Sequence, residues 1–327
     1  MKGTAQTLGG NAVFSFITLP NTAQISALGG VNISTIGNDV GLTFHNPSLL
    51  RKSMHGQINS SFNNFFSGIR NINTTAAFYI PKVDLIIGGG IQYLNYGNIT
   101  QTDAAGNILG NIKPVDYALQ LMAAKQYKER FWLGVTAKYI HSNYGIFRAA
   151  GIAVDIGLLY ADTAHFFQAS VLIKNLGTQL STYAPSQQKE ELPFDIQAGV
   201  SKRLEYAPLQ FSLTAHNLHR FNIFYSDTTF NAAEGDLRST TTLQKMVVHL
   251  ILSAQIYLSE KVELSVGYNF LRRQDLNIFN ASSGLNGVTA GVGFLHKKVH
   301  IRYATGFYQQ NLFHQFALNF NIRGAAF

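Results

Sequence analysis

Few residues in this chain could do covalent or metal chemistry, and none of them sits at a spacing that such chemistry needs. His216 and His219 are three apart, but they fall near a predicted strand end and read as rim residues. Gly88-Gly89-Gly90 follows a strand start, yet no helix follows it, which argues against a phosphate loop. Glycines facing a lumen relieve crowding or permit bends. Glu190-Glu191 precedes Leu192-Pro193 in a loop and reads as a pair of solvated carboxylates. The absence of Cys excludes disulfide scaffolds, thiolate metal sites and thiol nucleophiles. No Ser/His/Asp constellation stands out. The expectation is therefore no enzyme, no catalytic residue, no metal and no cofactor. Asp155, Asp195, Glu263 and Arg302 fall on the polar faces of predicted strands. They read either as one charge network inside a lumen or as scattered luminal residues paired for solubility.

The elements that would position these residues are set by an unusual composition. Of 327 residues only 13% are charged, while 46% are hydrophobic. Charged residues usually make up about 25% of a soluble chain, so Gly, Asn, Gln, Ser and Thr have replaced charge on the polar surface. With 29 Gly, 24 Phe and 15 Tyr, this suggests a β protein facing something other than water. The best apolar runs, 85–91, 151–160 and 246–258, are too short or interrupted to form a spanning helix. Met1-Lys2 is followed by Gly3-Thr4-Ala5-Gln6, without the apolar core of a secretory signal. An exported chain would thus be a mature one whose signal has been removed.

From about residue 55 onward, segments of roughly ten residues alternate with period two. Val262, Leu264, Val266, Tyr268 and Phe270 oppose Glu263, Ser265, Gly267 and Asn269. About fourteen such segments are expected: 55–65, 71–81, 84–96, 114–126, 130–145, 149–161, 165–176, 193–203, 209–221, 246–258, 261–271, 285–295, 298–308 and 313–323. Their length suits tilted strands crossing a bilayer, which need about 9–11 residues. Connections alternate between very short turns and long polar loops at 97–113, 177–192, 222–245 and 272–284. Outer-membrane barrels have short periplasmic turns and long extracellular loops. The fold expected is all-β, a 14-stranded antiparallel transmembrane barrel over 55–327, localised to the bacterial outer membrane. Aromatics near segment ends (Tyr93, Tyr96, Tyr139, Tyr160, Tyr257, Phe307, Tyr308) suit interfacial girdles. The last segment alternates Phe316, Leu318, Phe320 and Ile322 with polar or small residues, and Phe327 ends the sequence. This looks like the signal read by barrel-assembly machinery.

Residues 1–54 differ, and read as a plug or hatch with short helices. Ala23 to Leu28 reads as a helix stopped by Gly29-Gly30. Asn46 caps and Pro47 starts a second short helix running through Ser48. The net charge of +8 gathers in belts at the predicted rims. Arg148, Arg220, Arg272 and Arg273 at the outer rim would hold lipid phosphates. Charges in belts disfavour nucleic acid as a partner. In the long loops, Tyr183, Phe224, Tyr225, Phe230, Ile278 and Phe279 are apolar anchors suited to docking a partner.

Six stretches carry a family resemblance: Ala27-Leu28-Gly29-Gly30, Phe44-His45-Asn46-Pro47-Ser48-Leu49-Leu50, Gln92-Tyr93-Leu94-Asn95-Tyr96-Gly97, Lys174-Asn175-Leu176-Gly177-Thr178-Gln179-Leu180, Leu192-Pro193-Phe194-Asp195-Ile196-Gln197-Ala198-Gly199 and Gly267-Tyr268-Asn269-Phe270-Leu271-Arg272-Arg273-Gln274-Asp275-Leu276. In order and spacing the chain resembles the PorV/PorQ family of the Bacteroidota type IX secretion system. The resemblance implies a FadL-like barrel of fourteen strands that anchors the cell-surface attachment complex. Its implied partners are a PorZ-like surface protein, the PorU sortase, the PorV shuttle and outer-membrane lipid or lipopolysaccharide. FadL transporters carry Asn-Pro-Ala near the N-terminus, and here Asn46-Pro47 is followed by Ser48. This is consistent with a plug and leaves fatty-acid binding open. The alternative to an anchor is a FadL-like transporter of hydrophobic or small solutes.

Overall fold

A computed structural model describes residues 12–65, 68–185, 187–223, 241–276, 285–308 and 311–322. Fourteen of its strands close into an antiparallel barrel. In chain order the first three are β1 (Gln57–Asn64), β2 (Arg70–Ile80) and β3 (Leu85–Asn95). A separate two-stranded hairpin follows, β4 (Ile99–Thr102) and β5 (Ile108–Ile112). The barrel resumes with β6 (Val115–Tyr127), β7 (Phe131–Tyr144), β8 (Phe147–Asp162) and β9 (Phe167–Ser181). It continues with β10 (Asp195–Arg203), β11 (Leu209–Ala215), β12 (Leu250–Ser259) and β13 (Val262–Asn269). The last strands are β14 (Val288–Leu295), β15 (Val299–Tyr308) and β16 (Asn311–Asn321). β1 pairs with β16 from Gln57↔Asn321 to Asn64↔His314, which closes the ring.

The wall is turned inside out relative to a soluble protein. On β13, Glu263 and Ser265 are buried while Val266 is 47% exposed on the outside. On β16, Gln315 and Asn319 are buried while Phe316 and Leu318 are exposed. Period-two alternation selects one face per strand, so a polar interior and an apolar exterior follow from the register alone. An apolar outer band is what hydrocarbon stabilises. No described helix is long and apolar enough to cross a membrane.

The ends of several segments depart from the period. β11 stops at Ala215, well short of residue 221, and β12 starts at Leu250. Thr242–Val247 is a helix, α2, whose Thr241 and Gln244 form a capping box. Phe270–Asp275 is also helical (α3), so Phe270 leaves the β13 face on which alternation placed it. Asn269 at the N-cap accepts from Arg272 N and turns the chain. The girdle assignment splits in a similar way. Tyr160 lies 5.2 Å from Phe131 at the rim. Tyr96 and Tyr257 instead turn to interior carboxylate and amide partners, Asp116 and Gln210.

Candidate functional site: the filled lumen

Residues 12–54 run through the barrel from one rim to the other. At the long-loop rim Val13 N donates to Glu191 O (3.0 Å), and Ala12 bridges to Glu191. At the short-turn rim Leu50 and Met54 pack with Ala77, Ile86, Met122 and Ala124. Between these ends lies helix α1 (Ala23–Ala27), which packs on β14, β15 and β16. Gly29 and Gly30 end it at φ of 92° and 93°, a conformation that favours glycine.

Asn46 is the most fully used side chain in this segment. Its Oδ1 accepts from Ser48 N (3.0 Å) and Ser48 Oγ (2.7 Å). Its Nδ2 donates to Ile33 O (2.8 Å) and Ser170 Oγ (2.9 Å). The cap therefore tightens the Pro47–Leu49 turn while tying it to residue 33 and to β9. Gly134 of β7 and Gly157 of β8 are register partners directly beneath. A Cβ on Gly134 would collide with the backbone of Pro47 and Ser48, and one on Gly157 with Asn46 and Ser48. These paired glycines give the wall a flat seat for the Asn46-Pro47-Ser48 turn.

Two buried charge groups hold the same stretch. Arg302 Nε donates to Glu263 Oε1 (2.6 Å), and its Nη1 pairs with Asp39 Oδ2. Asp39 Oδ1 also accepts from Gly41 N (2.8 Å) and Asn59 Nδ2 (2.9 Å). One arginine thus joins strands β13 and β15 to the luminal segment. The second group is Lys138 Nζ to Asp155 Oδ2 (2.6 Å), with Lys138 also on Asn175 Oδ1 (2.7 Å). Beside it Lys174 Nζ donates to His45 Nδ1 (2.8 Å). An ammonium can only donate, so His45 Nδ1 is the accepting ring nitrogen of this pair. A register shift between β8 and β9 with Asn175 at positive φ turns both Lys174 and Asn175 inward.

The first part of the segment is held differently. Val13, Phe14, Phe16 and Ile17 pack with Leu94, Ala118, Ile140, Ala149, Ala153 and Leu192 beneath the long loops. Tyr183 stacks on Tyr144 with centroids 5.4 Å apart, and both Tyr96 and Tyr144 donate to Asp116 Oδ2 (2.6 and 3.0 Å). These tyrosines roof the apolar cluster that the chain's own Phe14 and Phe16 join. Gln92 Nε2 reaches Phe16 O (2.9 Å).

Asn46, Pro47 and Ser48 form one capped turn against Gly134 and Gly157. Of the docking residues, Tyr183 belongs to the roof, while Phe224, Tyr225, Phe230, Ile278 and Phe279 lie outside the described residues. The four rim arginines do not form one belt. Arg148 is exposed on β8, on the outward face that Ile152 shares further along the strand. Arg220 pairs with Glu191 (2.8 Å). Arg272 turns inward, so that a Cβ on Gly30 would collide with its guanidinium. Arg273 sits on α3 against Gly287. The charged residues form separate groups, since Asp195 accepts from Gln197 Nε2 (2.6 Å) and Asn217 N (2.5 Å), away from Arg302. Sequence reasoning missed Asp39, His45 and Lys138. A lysine in the middle of a polar strand face was the available signal for Lys138. Among the described residues no group of His, Cys, Asp and Glu could hold a metal ion.

No family model matches the chain. No curated protein matches it by sequence. Solved structures do resemble it. The toluene transporter TbuX of Ralstonia pickettii superposes with a TM-score of 0.56 at 12% identity, covering 94% of this chain and 99% of that one. A deletion mutant of TodX, a monoaromatic hydrocarbon channel, gives 0.56 at 11% identity over 92% and 97%. A Pseudomonas aeruginosa FadL homologue gives 0.51 at 8% identity over 92% and 98%. At such identities the likeness shows the fold, a FadL-like 14-stranded barrel.

Proposed function

We propose that this protein is a non-enzymatic outer-membrane conduit for small hydrophobic compounds, in which the first luminal residues act as the gate. The supporting observation is the roofed apolar cluster in which Val13, Phe14, Phe16 and Ile17 of the luminal segment pack on wall residues such as Leu94, Ile140 and Ala153. An apolar pocket with a few convergent polar groups is the usual form of a small-molecule site. The neighbours described as a toluene transporter, a monoaromatic hydrocarbon channel and a FadL homologue support the same reading. Equilibrium binding and liposome uptake of a small aromatic hydrocarbon test it. Phe14→Ala with Phe16→Ala empties part of the cluster, and should raise aromatic binding by roughly tenfold or more at some cost in stability. Failure of both wild type and variant to bind or pass any aromatic would remove the reading.

A second reading has its own support. The stretches Ala27–Gly30 and Phe44–Leu50, which carry the PorV/PorQ resemblance, fall within the part of the segment clamped to the wall. A permanently filled barrel suits a cell-surface anchor of the type IX secretion system that docks a PorZ-like protein alongside PorU and PorV. Here the long loops, with Phe224, Tyr225, Phe230, Ile278 and Phe279, form the docking surface. Mild-detergent pull-down separates the readings. A large surface protein recovered with the barrel supports the anchor, and a barrel recovered alone with bound hydrophobic solute supports the conduit.

A further inference from the structure

The outer wall has a feature that neither reading uses. A groove of about 500 Å³ crosses its apolar face over β9 to β13. Its floor follows one register row, Phe167–Lys202–Phe211–Ala254–Val266. A second row, Val200–Leu213–Leu252–Tyr268, forms the upper bank. Ala254 is the small residue between Phe211 and Val266, and it leaves the depression. The row crosses four strand-to-strand steps of ~4.8 Å, or about 19 Å in all. One leaflet of a ~30 Å hydrocarbon core is about 15 Å deep, so an oblique track of this length matches one extended acyl chain.

The low end of the groove reaches the short-turn rim. There Lys202 is half-buried on the outward face, and its Nζ donates to the carbonyl of His165, leaving two of its three protons for another acceptor. Phe166, whose carbonyl accepts from Arg203 N, and Tyr206 in the turn between β10 and β11 are exposed at the same rim, Tyr206 at 98%. A cation at a rim with exposed aromatics, where an apolar track ends, suits a headgroup phosphate with its chain above.

We propose that this groove binds a diacyl phospholipid of the short-turn leaflet, with one acyl chain over Ala254 and the phosphate on Lys202. The test is phospholipid retained per barrel after purification from native membrane in mild detergent, read by native mass spectrometry and phosphorus assay. Wild type should carry a bound phospholipid. Ala254→Leu fills the floor and should cut retention roughly tenfold or more. Lys202→Gln should cut it about fivefold, the worth of one cation at a lipid surface. Ala123→Leu is the control: Ala123 also faces outward, between Ile87 and Val135 on neighbouring strands. It should retain lipid like wild type. Equal retention in all four proteins, equal loss in the Ala123→Leu control, or recovery of lipopolysaccharide in place of phospholipid would each overturn the proposal.

Discussion

The two parts of the luminal segment differ in how much buried polar chemistry is added to their apolar packing. Residues 20–54 pack apolar side chains such as Ile25, Leu42, Leu49 and Met54 and are fixed as well by directional, buried polar contacts: Asp39 on Arg302, Asn46 on Ser170, His45 on Lys174 and Ser26 on Gln315. Residues 13–19 are held mainly by apolar packing, with two contacts through their backbone, from Val13 N to Glu191 O and from Gln92 to Phe16 O. A buried polar contact cannot be exchanged for a hydrophobic solute without leaving a group unsatisfied. An apolar contact can, because the solute replaces the same burial. The difference teaches which part can yield to a ligand and which part keeps the barrel filled.

Breaking the clamp should have the largest effect. Arg302→Ala leaves Asp39 and Glu263 buried without their cation, and should cost about 3–5 kcal/mol. The check is the thermal unfolding midpoint in detergent, together with protease cleavage within residues 20–54. An unchanged midpoint would mean that the charges are solvated. Filling the glycine seat comes next. Gly157→Ala should displace the Asn46-Pro47-Ser48 turn at about 1–3 kcal/mol, again seen as new protease sites. The smallest effect belongs to a single cap. Asn46→Ala should cost about 1–2 kcal/mol, while Ser48→Ala, which restores the FadL-type Asn-Pro-Ala pattern, removes one hydrogen bond for about 1 kcal/mol or less. If Ser48→Ala instead opened the lumen to solutes, the fixed part would be the gate and the comparison would reverse.

Much of this barrel was legible because its period is simple. Segments such as Leu209–Leu213 and Val262–Tyr268 alternate cleanly, and long loops alternate with short turns. The Gly29-Gly30 stop and the Asn46-Pro47 start were legible because caps are local. The seat was not. Gly134 and Gly157 are 23 residues apart in sequence and become neighbours only once the β7–β8 register is set. Asp39 and Arg302 are further apart still, and nothing local marks them as a pair. The helix over Thr242–Val247 was readable from Thr241 and Gln244, yet the apolar run after Met246 masks its end.

Hydrogen exchange along residues 12–54, with and without a saturating small aromatic hydrocarbon, tests the division most directly. Residues 20–54 should be protected as strongly as the wall strands in both states, while residues 13–19 should lose protection when the ligand binds. Uniform protection throughout, unchanged by ligand, or early loss across 20–54, would contradict it.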